Sequence, residues 1–318
     1  MLTNEEIEEF NSYALDKVYF YIESNFWSKP NVKELQNWLN NFILPEEKYC
    51  ALKLLDRFVY YSEEDIIRLM NFGLNEKIFK RYALKLEKES SFLLTEEDII
   101  KAKKTFLENT FFVPLNTGNL SQSSLVMARY LTIDVGISES KILDTNSLSS
   151  DELKTCKNLI ILDDFVGSGK QISDFWNLTK VKLDDNEILF NELKEKFPDI
   201  NIEYFCLVCT NEGYDNFKFD FEMGKRSDLM VTYGELLGNR FKIFGEDSVY
   251  FEAEEIEFCK DILKNLCDKN DIEFLGYQGL DYAIAFHHAI PDCSLPLFYT
   301  NNKNWNNLYR NKRTETDV

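Results

Sequence analysis

Apolar residues recur at helical spacing over residues 5–26, where Ile7, Phe10, Ala14, Leu15, Val18 and Ile22 share one face of a 3.6-residue repeat. Pro30 interrupts the pattern, and residues 32–42 resume it with Leu35, Trp38 and Leu39. Pro45 suits the first turn of a further helix, where its missing N–H would have no partner anyway. Tyr49, Leu52, Leu55 and Val59 would form that helix's buried stripe. Ser62-Glu-Glu-Asp65 and Thr95-Glu-Glu-Asp98 each stand before an apolar run. Both read as capping boxes, in which side chains at the first and fourth positions satisfy each other's backbone N–H groups. The pattern predicts an all-helical region over 1–105.

From residue 106 the texture changes, and short apolar runs alternate with amphipathic segments. Strands are expected at 111–115, 141–143, 159–162, 202–210, 229–232 and 283–288, with helices from 121, after 171 and over 252–267. Such alternation predicts an α/β domain over 106–318, a parallel sheet flanked by helices. The run 159–162, Leu-Ile-Ile-Leu, is apolar at every position, as a parallel strand covered on both faces requires. Residues 148–157 are polar and are expected to be mobile.

The chemistry concentrates directly after that run, in Asn158-Leu-Ile-Ile-Leu-Asp-Asp-Phe-Val-Gly-Ser-Gly-Lys-Gln171. Open α/β sheets bind ligands at the carboxyl ends of their strands, which is where Asp163 and Asp164 would fall. Gly167, Ser168 and Gly169 then lead into a helical segment, an arrangement that aims backbone N–H groups at an anion. A P-loop would need glycine where Asp164 stands and Ser or Thr where Gln171 stands. A dinucleotide fingerprint would need glycine at Ile172.

This stretch resembles the ribose-5-phosphate loop of type I phosphoribosyltransferases: an apolar strand, two adjacent acids, two intervening residues and a short hydroxyl- and glycine-rich turn. The form DDFVGSGKQ is most similar to phosphoribosyltransferase-like proteins of bacterial antiphage conflict systems, some of them retron-associated. A later segment, His288-Ala-Ile-Pro291-Asp-Cys-Ser294-Leu295-Pro296, matches the H-x-x-P-x-x-[ST]-L-P pattern of that group. The resemblance implies a ligand of the phosphoribosyl pyrophosphate or nucleotide type, bound with Mg2+. By the same resemblance Asp163 and Asp164 flank the ribose in catalysis and hold the metal indirectly. Val166, Gly167, Ser168, Gly169, Lys170 and Gln171 would cradle the 5-phosphate. Gly118, Ser121, Ser123 and Ser124 would form the pyrophosphate loop, with Lys154 and Lys157 on a closing loop. The base-recognition region would fall near 213–250, which holds Tyr214, Phe217, Phe219 and Tyr233. Gln171 replaces a threonine of the usual motif, and Lys170 replaces a small residue.

Composition narrows the partners. The chain has 318 residues, with 36 basic against 55 acidic side chains and a net charge of −19. Such a surface repels nucleic acid and anionic membranes unless basic groups cluster. Lysines do gather over 77–104, interleaved with acids, as on a solvated helix face. No apolar run reaches the ~18 residues of a spanning helix. The acidic start MLTNEEIEEF lacks the form of a signal peptide, so a cytoplasmic location is expected. The seven cysteines are scattered, and Cys206-Leu-Val-Cys209 lies inside an apolar run, so core thiols are expected rather than a metal site. His287 and His288 would point to opposite faces of a strand.

Three readings therefore stand. One is a phosphoribosyltransferase-like enzyme or effector in antiphage defence. Another is a non-catalytic nucleotide sensor relaying to a protein partner or retron-type complex through 1–105. The third is a nucleic-acid adaptor in which those helices form a winged-helix module.

Overall fold

The structure is a computed structural model and describes residues 3–115, 122–222 and 229–310. Its strands are β1 (Val59–Tyr61), β2 (Thr110–Pro114), β3 (Asn158–Val166), β4 (Lys180–Leu183), β5 (Asn186–Leu189), β6 (Asn201–Thr210), β7 (Met230–Leu237) and β8 (Ile284–Phe286). The chain divides into two compact units. One joins Met1–Asp65 to Leu237–Val318, and the other is the continuous stretch Ile66–Leu236.

The continuous unit holds a four-stranded sheet in the order β2-β3-β6-β7. β3 runs parallel to β2, with Phe112 opposite Ile160, and parallel to β6, with Ile161 opposite Tyr204. Leu159, Ile160, Ile161 and Leu162 are completely buried. This is why the run shows no polar alternation: helices and loops cover both faces. Leu159 and Ile161 pack with Phe175, Trp176 and Tyr204 in the core on one face.

On this sheet lies an unusual helical stretch. A π-helical segment, Gly73–Phe79, joins the helices Glu63–Phe72 and Lys80–Glu89. A Cβ on Gly73 would stand 2.1 Å from Cζ of Phe205, which is fully buried. Glycine is what lets this backbone rest on the ring. Gly73→Ala is expected to cost about 1–3 kcal/mol through overpacking, read as a lower urea midpoint with an unchanged slope.

The discontinuous unit packs the helices Asn4–Glu23, Val32–Leu39, Pro45–Asp56 and Ile256–Lys269 around one core. Trp38 stacks on Phe298 with centroids 5.6 Å apart, and its Nε1 donates to the carbonyl of Leu297 at 2.8 Å. β1 and β8 form a separate parallel pair here.

Several sequence expectations meet their structures. The capping boxes at Ser62/Asp65 and Thr95/Asp98 are present, and Thr3/Glu6 and Asn31/Glu34 form two more. All seven cysteines are buried with free thiols. Compactness, however, does not follow a boundary at 105/106. Helices up to residue 56 group with the C-terminal third, because Trp38 and Phe42 find their apolar partners at Phe298 and Trp305. The strand expected near 283–288 lies beside β1 rather than in the main sheet. Within residues 148–157, Leu148 is buried, and a short helix, Ser150–Thr155, follows. The expected strand at 141–143 reduces to one bridge between Phe112 and Ile142. The charged connector near 184–187 is the turn of the β4/β5 hairpin.

Candidate functional site

Successive residues of a strand face opposite sides. Along β3 the odd positions Leu159 and Ile161 face the core shared with Tyr204, and Asp163 continues that side. Asp163 is buried, 5% exposed, whereas Asp164 is half-buried. The Tyr204 hydroxyl donates to Asp163 Oδ2 at 2.7 Å, and the backbone N–H of Asp164 donates to Asp163 Oδ1 at 2.9 Å. Burial, reinforced by the neighbouring charge of Asp164, raises the Asp163 carboxyl well above the usual carboxylate range. Burial raises the Tyr204 phenol in turn. The two acids thus differ: Asp163 is held in the core with its proton affinity raised, and Asp164, whose side chain meets it, is half-buried.

The glycine turn follows. Val166 is buried, and Gly169 takes the left-handed conformation (φ 77°, ψ 0°) as N-cap of the helix Lys170–Leu178. This is a conformation glycine adopts without the Cβ penalty. The carbonyls of the turn are all engaged. The Thr210 hydroxyl donates to Gly167 O at 2.6 Å, Asn216 Nδ2 to Ser168 O at 3.1 Å, and the Ser173 N–H to Gly169 O at 3.2 Å. Among the described residues, nothing accepts from the N–H groups of Gly167, Ser168 or Gly169. These donors stand at the positive end of a helix, the environment in which an anion is stabilised. Lys170 adds its ammonium but shares it with Asp174 at 2.8 Å, a partly exposed pair. Gln171 is half-buried in the first helical turn.

The sequence puts residues 210–213 on the same rim as the two acids but gives them no role, and two of them brace this turn. Thr210 ends β6, and its hydroxyl also accepts the Gly213 N–H at 2.9 Å, so one side chain caps the helix Asn211–Glu222 and holds the turn. Thr210→Val is expected to lose about 1–2 kcal/mol of stability, measured by urea unfolding. Gly213 lies against the turn itself: a Cβ there would stand 2.5 Å from Gly167 O and 2.8 Å from Val166 Cγ1. The signal available was T-x-x-G directly after an apolar strand.

The Leu115 N–H donates to Leu162 O at 2.8 Å, so the end of β2 lies beside the end of β3. Of the expected pyrophosphate loop, Gly118 and Ser121 are outside the described residues, as are the side chains of Ser123 and Ser124. Lys154 pairs with Asp151 at 2.8 Å. Tyr214 and Tyr233 meet edge to face at 5.5 Å, and Phe217 is buried; the Phe219 side chain lies outside the described residues. His288 follows β8 in the other unit. Among the described residues, no three His, Cys, Asp or Glu side chains gather as a metal cage. For Mg2+ the fit is partial. Asp163 is buried and engaged on both oxygens, while Asp164 can offer one carboxylate, which suffices for an ion that binds mainly through ligand phosphates and water.

Comparison with known proteins gives one extensive match. The family model described as PRTase-CE covers residues 35–311. No curated protein matches the chain. Among solved structures it is similar to the orotate phosphoribosyltransferase from Aeropyrum pernix at 12% identity and a TM-score of 0.21, over 42% of this chain. The chain spans 62% of the length of that enzyme. A likeness of that size carries no argument of its own, and the extent of the family match is what decides.

Proposed function

Since the chain belongs to the PRTase-CE family, we propose that this phosphoribosyltransferase-like protein binds a ribose 5-phosphate group, presented by phosphoribosyl pyrophosphate or a nucleotide, at the end of β3. One observation carries this reading: the turn's carbonyls are tied down while three consecutive amides at a helix N-terminus have no acceptor among the described residues. A phosphate with about two negative charges suits such donors. In this reading the amides of Gly167, Ser168 and Gly169 bind the phosphate, and Lys170 supplies further positive charge. Asp164 accepts from the ribose hydroxyls. Asp163 positions Asp164 through its N–H and is positioned by Tyr204. Asp164 is the residue that would hold Mg2+, an ion that would supply positive charge toward a leaving pyrophosphate. The carboxylate of Asp164 would also stabilise positive charge on the ribosyl group electrostatically.

Transfer of the phosphoribosyl group to an acceptor is the favoured activity, and antiphage defence is the context that the resemblance suggests. A second reading, nucleotide sensing without turnover, draws on the burial of Asp163 and the engagement of both its oxygens inside the protein. Calorimetric titration of the full chain with phosphoribosyl pyrophosphate, with and without Mg2+, tests binding. Saturable heat is expected, and its absence at millimolar ligand would overturn the site. A pyrophosphate-release assay with base and nucleotide acceptors then separates enzyme from sensor.

A further inference from the structure

The discontinuous unit contains a second group of reactive side chains. Ser28 Oγ lies 2.7 Å from Nδ1 of His287 and 2.7 Å from the Tyr60 hydroxyl. These residues come from three separate segments: the turn after the first helix, the middle of β1, and the carboxyl end of β8. Ser28 is exposed, while its surroundings are fixed. Trp27 is buried beside Phe58 and Tyr60, and Pro30 is buried. The Tyr309 hydroxyl donates to the carbonyl of Lys29 at 3.2 Å, and the His287 N–H donates to Tyr61 O at 2.8 Å. An accessible hydroxyl is thus held against an imidazole by a rigid frame, at the carboxyl end of a parallel strand pair.

We propose that Ser28 is a nucleophile activated by His287, forming a second reactive centre that takes acyl groups from small esters. With the His287 proton on Nε2, Nδ1 accepts the Ser28 O–H, and Tyr60 donates to Ser28 Oγ. On attack, Ser28 Oγ bonds to the acyl carbon and its proton passes to His287 Nδ1. That proton goes to the departing alkoxide as its C–O bond breaks, leaving an acyl-serine and an alcohol. Water attacks the acyl-serine by the same route, giving a carboxylic acid and restoring Ser28. Nucleophile and base stand within the distance this chemistry requires. Burial lowers the His287 pKa below the ordinary histidine value, which keeps the ring neutral and able to accept a proton near pH 7. The groups facing it are Glu63, whose charge works the other way, and Lys29, His288 and Tyr60.

The test treats the full chain with a fluorophosphonate serine probe and, separately, with para-nitrophenyl acetate, and locates adducts by peptide mass spectrometry. The expected result is an adduct on Ser28 that forms about 100-fold faster than in His287→Gln, and none in Ser28→Ala. Thermal melts check that the variants remain folded. A readout on the unaltered protein keeps the test decisive if His287→Gln does not fold: the labelling rate should fall with pH between about 8 and about 5 as the imidazole gains its proton. Ser28 left unmodified, modified equally fast without His287, or modified at a rate flat across that range would overturn the proposal and leave the contacts as a structural tether.

Discussion

Gly213→Val is expected to reduce affinity for phosphoribosyl pyrophosphate by about 100-fold or more while the protein stays folded. A side chain at 213 has nowhere to go. Its Cβ would stand 2.5 Å from Gly167 O and 2.8 Å from Val166 Cγ1, and valine adds two further methyl groups. Val166 is buried and cannot retreat, so the glycine turn must shift, and its three amides shift with it. Overpacking of this kind costs about 1–3 kcal/mol, within the ~5–15 kcal/mol that stabilises an ordinary domain. Binding is more sensitive, since a displacement of about 1 Å in a positioned group can cost ~100-fold. Gly238→Ala is the control, because a Cβ there meets nothing within 4 Å. Calorimetric titration reads the affinity and urea unfolding the stability. Unchanged affinity in Gly213→Val would mean that the turn does not hold the ligand.

The second large effect is a contrast between neighbours. Asp164→Asn is expected to weaken the same ligand by about 10- to 100-fold, the value of a charge-assisted hydrogen bond of roughly 1.5–3 kcal/mol. Asp163→Asn should weaken it less, within about threefold, because Asp163 is buried with both oxygens engaged inside the protein and an amide still offers Tyr204 an oxygen acceptor. Stability gives an independent check of sign. The Asp163 pKa is raised in the folded chain, whereas in the unfolded chain it titrates near ~3.9. Between those values the folded state binds more protons, so the contribution of Asp163 to stability falls as pH rises. Asp163→Asn should therefore gain on the parent protein as pH climbs from about 4 towards neutrality, measured by thermal unfolding along that series. A variant that loses ground instead would show Asp163 ionised in the folded state.

Much of the continuous unit was legible from the chain. Four consecutive apolar residues at 159–162 located β3, and the acids and glycines after them located the turn. What escaped notice was the consequence of strand parity. Adjacent strand residues set out toward opposite faces, so Asp163 is drawn into the core while Asp164 stays half-buried, although their side chains still meet. That rule, applied to His287 and His288, applied equally to Asp163 and Asp164. Tyr204 gave no sign of its part, since a tyrosine inside a buried run reads as plain core until its hydroxyl partner is known. Gly213 was visible only as a rim residue, because close approach between two loops is a tertiary fact.

The grouping of the helices was less legible. Amphipathic spacing shows that a helix buries one face but not against what. Residues 32–56 find their apolar partners in the last part of the chain, and the pattern could not announce so distant a pairing. β1 is only three residues, too short for alternation to separate from a helical turn, so Val59 reads as part of a helix stripe; the strand at 283–288 is legible, but its partner is not. The π-helical segment had one cue, Gly73, whose meaning depends on the ring beneath it.

The interleaved chain path also sets a timetable for biosynthesis. Ile66–Leu236 has every partner it needs once its own stretch has left the ribosome. Met1–Asp65 emerges earlier but has no β8, no Phe298 and no Trp305 until more than two hundred further residues have been made. At about 5–20 residues per second, its oily helix faces wait many seconds for cover, an interval in which chaperones have the most to hold.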